Sequence, residues 1–239
     1  MRIGLFDSGI GGLTVLKSLI NKYPDNDYIY LGDTLNVPYG TKTKEELLTL
    51  ARNDIEFLLK QDVEMIIVAC GTVSSNCLQE LKQEYDIPIL SVVEPTINYL
   101  NSSNYSNIGV IATPSTINSH MFKNKVRKAV YEIAAPKLVP LIEHSENERI
   151  KAVVEEYLND YIDRIDSLVL GCTHYPLISD TFNEVLGGNT PLINMGELIK
   201  IPNNGNKELY VYFSHLDDKV INNTRRILPN KDLTLNLKK

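Results

Sequence analysis

Only three cysteines, at 70, 77 and 172, occur in the 239 residues. So few, and an odd number, exclude a disulfide framework and direct attention to thiol chemistry. No zinc-ribbon spacing links them, so no metal is expected. No stretch approaches the roughly 18 continuous apolar residues that a membrane helix requires. The opening Met1-Arg2-Ile3-Gly4-Leu5-Phe6-Asp7 has too short an apolar run, and the wrong flanks, for a secretory signal. A cytoplasmic, reducing location is the default expectation. Basic residues do not accumulate either: 24 Lys and Arg stand against 30 Asp and Glu, for a net charge of −6. Being scattered, they form no stripe for a phosphate backbone. Neither nucleic acid nor a membrane is an expected partner.

Phosphate cradles are incomplete. Gly9-Ile10-Gly11-Gly12 follows the first apolar run, but the third glycine of a G-x-G-x-x-G fingerprint would fall on Thr14. There is no P-loop, and no lysine motif points to pyridoxal phosphate. No cofactor is expected.

Short runs rich in Ile, Val and Leu alternate with segments of helical periodicity, the pattern of parallel strands joined by crossover helices. The fold class read from this is α/β. Strands are predicted at Arg2 to Phe6, Tyr28 to Leu31, Met65 to Ala69 and Ile89 to Val92, with helices at Leu13 to Lys22, Lys44 to Lys60 and Ser75 to Glu84. A second series follows at Ile108 to Ile111, Leu138 to Leu141, Leu168 to Leu170 and Leu192 to Asn194. Ile3-Gly4-Leu5-Phe6 resembles Ile108-Gly109-Val110-Ile111; Gly4 precedes Cys70 by 66 residues, and Gly109 precedes Cys172 by 63. The economical reading is an internal duplication: two similar, doubly wound parallel-sheet domains related by a pseudo-twofold. Glu208 to Phe213 reads as a further strand and Asp217 to Leu228 as a helix that return to the first half. The predicted domains are 1–92 with 207–239, and 93–206.

Ligands of open α/β sheets bind beyond the carboxyl ends of the strands. Two such halves facing one another would aim Asp7, Asp33, Cys70, Glu143 and Cys172 into one cleft. Cys70 and Cys172 sit in parallel settings, Ile66-Ile67-Val68-Ala69-Cys70-Gly71-Thr72 and Leu168-Val169-Leu170-Gly171-Cys172-Thr173-His174. A helix beginning just after each would favour the thiolate and bind a substrate carboxylate. Two thiols on facing loops suit inversion at a carbon acid, in which one base removes a proton and a second returns one to the opposite face. Cysteine is also among the most buried residue types, and that is the reading of Cys77, within an apparent helix.

Five segments in order carry a specific resemblance: Asp7-Ser8-Gly9-Ile10-Gly11-Gly12, Val37-Pro38-Tyr39-Gly40, Ala69-Cys70-Gly71-Thr72, Leu138-Val139-Pro140-Leu141-Ile142-Glu143 and Gly171-Cys172-Thr173-His174-Tyr175-Pro176. Together they resemble the signature segments of the glutamate racemase family. The resemblance implies a cofactor-independent, two-base racemase in which Cys70 deprotonates the D-enantiomer and Cys172 the L-enantiomer. It implies that Asp7 assists Cys70 and that His174 assists Cys172, with Glu143 orienting the imidazole. Ser8, Thr72 and Thr173 would hold the ammonium and α-carboxylate, and Pro38, Tyr39 and Gly40 the side-chain carboxylate. It also implies a homodimer that supplies D-glutamate for peptidoglycan.

Two departures stand out. Most members of the family have Asn directly after the first cysteine, whereas this sequence has Gly71, so one side-chain contact to substrate is missing. Asn194 stands where Asp is usual. A racemase of another acidic amino acid such as aspartate, or a noncatalytic amino-acid-binding protein, remains an alternative at this stage.

Overall fold

Branched apolar residues form the central strands here because those strands are covered on both faces, as parallel sheets require. The computed structural model describes residues 1–144, 146–229 and 233–238. Its strands are β1 (Arg2–Asp7), β2 (Asp27–Gly32), β3 (Met65–Val68), β4 (Ile89–Ser91), β5 (Asn107–Ala112), β6 (Ala129–Ala134), β7 (Ser167–Leu170), β8 (Leu192–Asn194), β9 (Leu209–Phe213) and β10 (Leu235–Leu237). The helices that matter below are α1 (Leu13–Lys22), α2 (Lys44–Leu59), α3 (Gly71–Asn76), α4 (Leu78–Glu84), α5 (Val93–Ser102), α6 (Pro114–Asn118), α7 (Met121–Lys125), α8 (Leu138–Glu143), α9 (Asn147–Leu158), α10 (Ser179–Val185) and α11 (Asp218–Ile227).

The strands make two parallel sheets, ordered β10-β9-β2-β1-β3-β4 and β6-β5-β7-β8. Within each lies the same arrangement, β2-β1-β3-β4 in one and β6-β5-β7-β8 in the other, which is the signature of the duplicated unit. The registers agree as well: Gly4 pairs with Ile66 in the first sheet, and Gly109 with Leu168 in the second. Each cysteine consequently lies two residues beyond the end of an equivalent central strand, β3 or β7.

One apolar cluster joins the two sheets. Ile3, Leu5 and Ile67 from the first share it with Ile108, Val110 and Val169 from the second, with α1 and α5 between them. The outer face of the first sheet packs on α2 through Phe6, Leu47, Ala51 and Ile55, and that of the second on α9 through Ile111, Ile150 and Val154. Fully burying such side chains contributes about 1.5–3 kcal/mol each. Local signals fix the helix starts. Thr43 caps α2 in a reciprocal capping box with Glu46, and Asp217 accepts the Val220 N–H at 2.8 Å to open α11.

Two sequence expectations need correction. Leu138 to Leu141 is not a strand but the first turn of α8, where Pro140 sits because its missing N–H is not needed there. The strand it displaced is β6, Ala-Val-Tyr-Glu-Ile-Ala, at a sheet edge where a polar, half-exposed pattern is tolerated. The helix predicted from Ser75 to Glu84 is two helices, α3 and α4, parted at Cys77, whose backbone leaves helical geometry at φ −124°. The predicted tail strand and helix are present as β9 and α11. Beyond them, β10 extends the first sheet by a strand that its short sequence, Leu-Asn-Leu, does not announce.

Candidate functional site

The carboxyl ends of β1, β2, β3, β5 and β7 converge on an enclosed cavity of about 140 Å³. That is close to the size of a dry cavity that admits a benzene-sized molecule, and it suits a single small metabolite, not a nucleotide. Ser8, Pro38, Tyr39, Gly40, Cys70, Gly71, Thr72, Cys172, Thr173 and His174 all line it. The second half also contributes Thr113, Pro114 and Val139, which the sequence reading missed. Thr113 was legible in principle: it follows β5 as Ser8 follows β1, so superposing the two repeats would have flagged it.

Asp7 and Glu143 stand behind this wall. The Asp7 carboxylate, fully buried, accepts the N–H groups of Gly9 at 3.1 Å and Gly12 at 2.9 Å, and the Thr173 hydroxyl at 3.2 Å. The glycine-rich turn is therefore a carboxylate cradle, not a dinucleotide one. The third residue of the turn, Gly11, is glycine for a steric reason. A Cβ on Gly11 would lie 2.4 Å from His174 Nδ1 and 2.5 Å from Thr173 Oγ1, so the first lobe's turn can meet the second lobe only without a side chain.

Behind Cys172 runs a chain of hydrogen-bonding groups. Cys172 Sγ lies 3.7 Å from His174 Nδ1, and His174 Nε2 lies 2.9 Å from Glu143 Oε1. Burial works against a charged His174. Its hydrogen bonds to Cys172 and Glu143 outweigh that and hold the imidazole well above its ordinary range. Burial likewise opposes a charged Glu143, but the hydrogen bond and charge of His174 bring its carboxyl below the usual value. Both directions favour the imidazolium–carboxylate form of the pair.

Cys70 behaves otherwise than the sequence suggested. It stands at the N-cap position of α3, where its side chain makes no capping hydrogen bond. Burial and then the negative charge of Asp7 push its thiol up to about 12, against the smaller help from Val73 and Ser8. No helix starts directly after Cys172, where a short 3-10 turn begins only at Tyr175. The helix end expected to ionise Cys70 does not dominate there, and the one expected directly after Cys172 is absent. Asp7 itself is pushed upward by burial, opposed by the charge of His174 and by its glycine donors.

The Tyr39 side chain corrects another expectation. Its hydroxyl donates to Asp33 Oδ2 at 2.6 Å, so it is not a free donor for a ligand. The Tyr39 and Gly40 N–H groups, by contrast, have no partner among the described residues and belong to the cavity wall. Asp33, expected in the cleft, is held by Asn36, Tyr39 and Ser214 instead of lining it. The lobes meet around the cavity through Thr72 and Thr113, whose hydroxyls are 2.9 Å apart, and through Ser115 N–H to Gly40 C=O at 3.0 Å. Gly71 presses on the opposite loop, since a Cβ there would come within 2.6 Å of the Gly171 carbonyl oxygen.

Residues 16–198 match the family described as Asp/Glu/Hydantoin racemase. The chain is 40% identical over 225 residues to a glutamate racemase from Aquifex aeolicus, covering 90% of this chain and 89% of that one. The chain belongs to the glutamate racemase family. It is therefore an enzyme of the racemase class. Solved glutamate racemases share the whole fold. That of Aquifex pyrophilus has 36% identity and a TM-score of 0.86, covering 100% of this chain and 98% of its own. That of Francisella tularensis, in complex with D-glutamate, has 30% identity and a TM-score of 0.86 over 98% and 96% of the two chains. Among the described residues, no helix is long and apolar enough to cross a membrane, and no cluster of three His, Cys, Asp or Glu could hold a metal.

Proposed function

We propose that this chain interconverts L- and D-glutamate by two-base proton transfer between Cys70 and Cys172. One observation carries the reading: two cysteines on equivalent strand ends of a duplicated fold line a single cavity of amino-acid size. Glutamate as substrate is supported by the names of the relatives and by the D-glutamate complex of a structural neighbour.

In the D-to-L direction the Cys70 thiolate takes the α-hydrogen from one face, and the Cys172 thiol gives its hydrogen to the other. The L-to-D direction reverses both roles. Asp7 and His174 act as the proton-handling groups beside the two sulfurs, and Glu143 holds His174 in its charged, oriented form. The substrate ammonium enters next to Cys70 and Asp7 and offsets the charge that disfavours the Cys70 thiolate. Hydroxyls of Ser8, Thr72 and Thr173 hold the ammonium and α-carboxylate, and the Tyr39 and Gly40 N–H groups receive the side-chain carboxylate.

A small cavity walled by residues of both halves strengthens each of these interactions at the developing carbanion. The bodies that close on the substrate are 1–92 with 207–239, and 93–206. Identical lobe orientations with and without D-glutamate, by solution scattering, would speak against that closure. We read the enzyme as a cofactor-free cytoplasmic homodimer that supplies D-glutamate for peptidoglycan.

Turnover in D₂O tests the reaction. D-glutamate is expected to lose optical rotation while the L-product gains deuterium at its α-carbon. Stable rotation with glutamate would reject the reading; stable rotation with aspartate as well would leave an amino-acid-binding protein.

A further inference from the structure

The C-terminal segment lies outside the cavity, yet two of its side chains bond the acids that flank Tyr39, a residue that walls it. Strand β9 ends at Phe213, and Ser214, the next residue, donates from Oγ to Asp33 Oδ1 at 2.6 Å. Strand β10 runs alongside, with Leu237 paired to Phe213, and the next residue, Lys238, reaches over α2. Its Nζ donates to Asp54 Oδ1 at 2.8 Å and to the Asn53 carbonyl at 3.3 Å, and lies 5.7 Å from the centre of the Phe57 ring. Asp54 is 1% exposed, and Lys238 is its sole ion-pair partner among the described residues. Between the two acids sits the Tyr39 hydroxyl, 2.6 Å from Asp33 Oδ2 and 3.5 Å from Asp54 Oδ2.

Two acids flank one hydroxyl and compete for it, because the phenol has a single hydrogen to give. Burial pushes Asp54 up to about 7, and the charge and hydrogen bond of Lys238 are the main forces opposing it. Without the lysine the balance moves further toward the acid form, whose O–H donates to the phenol oxygen. That bond draws the Tyr39 hydroxyl from 3.5 Å toward Asp54, while Tyr39 keeps its own hydrogen on Asp33. Tyr39 is continuous with Pro38, Gly40 and Thr41, which wall the cavity beside Cys70 and Thr72. The C-terminal segment lies beyond the residues that match the family description, which end at 198.

We propose that Lys238, acting through Asp54, is a positioning residue for Tyr39 and hence for the Pro38–Thr41 wall that receives the substrate's side chain. This rests on the substrate reading above. The lysine touches neither substrate nor reacting atoms, so its effect falls on binding and not on proton transfer.

The test uses the full chain, with Lys238→Met, Lys238→Arg and Asp54→Asn, and follows D-glutamate racemisation by circular dichroism. Lys238→Met is expected to raise KM about tenfold with kcat within about twofold, and Lys238→Arg to recover most of the loss, since a hydrogen bond to a charged group is worth that much. In the Asp54→Asn background the same lysine change adds less than about threefold, because the two act as one unit. D-glutamate affinity by calorimetry should weaken by the same factor. A wild type that binds without turnover would then fail the racemase reading while the lysine effect still registers. An unchanged KM and affinity in Lys238→Met overturns the assignment. So does a full effect that persists in the Asp54→Asn background, or a loss confined to kcat. If Lys238→Met does not fold, Asp54→Asn alone decides, because an unchanged KM there overturns the link to Tyr39.

Discussion

Replacing Gly71 by Ala is the sharpest perturbation that this structure offers. The new Cβ would lie 2.6 Å from the Gly171 carbonyl oxygen, where ordinary contact begins at 3.4 Å, so the two loops must part by roughly 0.8 Å. The obstacle is backbone on both sides, and no flexible side-chain end can swing away. The next residue before Gly71 is Cys70, and the next after Gly171 is Cys172, so the separation acts directly on the distance between the sulfurs. Overpacking of this kind costs about 1–3 kcal/mol, and at roughly 2–4 °C per kcal/mol for a chain of this size the thermal midpoint should fall by several degrees. A misplacement near 1 Å costs on the order of 10²-fold in rate. The expected result is a folded protein with kcat/KM for glutamate down by about that factor, measured by circular dichroism well below the new midpoint. Activity within threefold of wild type would refute the claim that this glycine contact sets the spacing of the thiols.

The remaining predictions concern the charged groups and the thiols. Cys70→Ser and Cys172→Ser should each reduce racemisation by at least about 10³-fold, as expected when one member of an acid–base pair is lost; full activity in either variant removes that residue from the mechanism. Asp7→Asn keeps acceptors for the Gly9 and Gly12 N–H groups but removes the charge that raises Cys70, so the acidic limb of kcat/KM against pH should move down while kcat falls. An unmoved or rising limb contradicts the assigned coupling. Glu143→Gln should lower stability by about 1.5–3 kcal/mol. His174 is raised, so its contribution is complete below about 6.5 and fades as pH climbs through the folded value. Glu143 is depressed, so its contribution is complete above about 4.5 and fades as pH falls through the folded value. The melting-temperature gap from wild type should therefore be widest between about pH 4.5 and 6.5. A pH-independent gap would mean that the pair is not ionised.

Much of this was legible in the sequence because parallel strands write themselves as apolar runs. The strands around the two cysteines, β1, β3, β5 and β7, follow from Ile-, Val- and Leu-rich segments that the structure buries on both faces. The repeat was legible as well, since the Gly4 and Gly109 segments occupy equivalent central strands. Edges were not. Strand β6 carries Tyr131 and Glu132 at the sheet margin, where burial no longer disciplines composition, and its apolar neighbour Leu138–Leu141 took its place in the reading although Pro140 argued against a strand.

The site was legible in membership but less so in electrostatics. Which residues line the cavity follows from strand ends, whereas the ionisation of Cys70 depends on how deeply Asp7 is buried beside it, which no local pattern records. The Tyr39 hydroxyl illustrates the same limit. Asp33 and Asp54, six and fifteen residues away in sequence, claim it only after α2 has folded against the sheet.

A crystal structure with D-glutamate bound would test the central claim most directly, through the distances from the α-carbon to the two sulfurs. The account predicts that the α-carbon lies between Cys70 Sγ and Cys172 Sγ, on opposite faces and within about 3.5 Å of each. An α-carbon flanked by one sulfur only, with the other turned into the core, would contradict it.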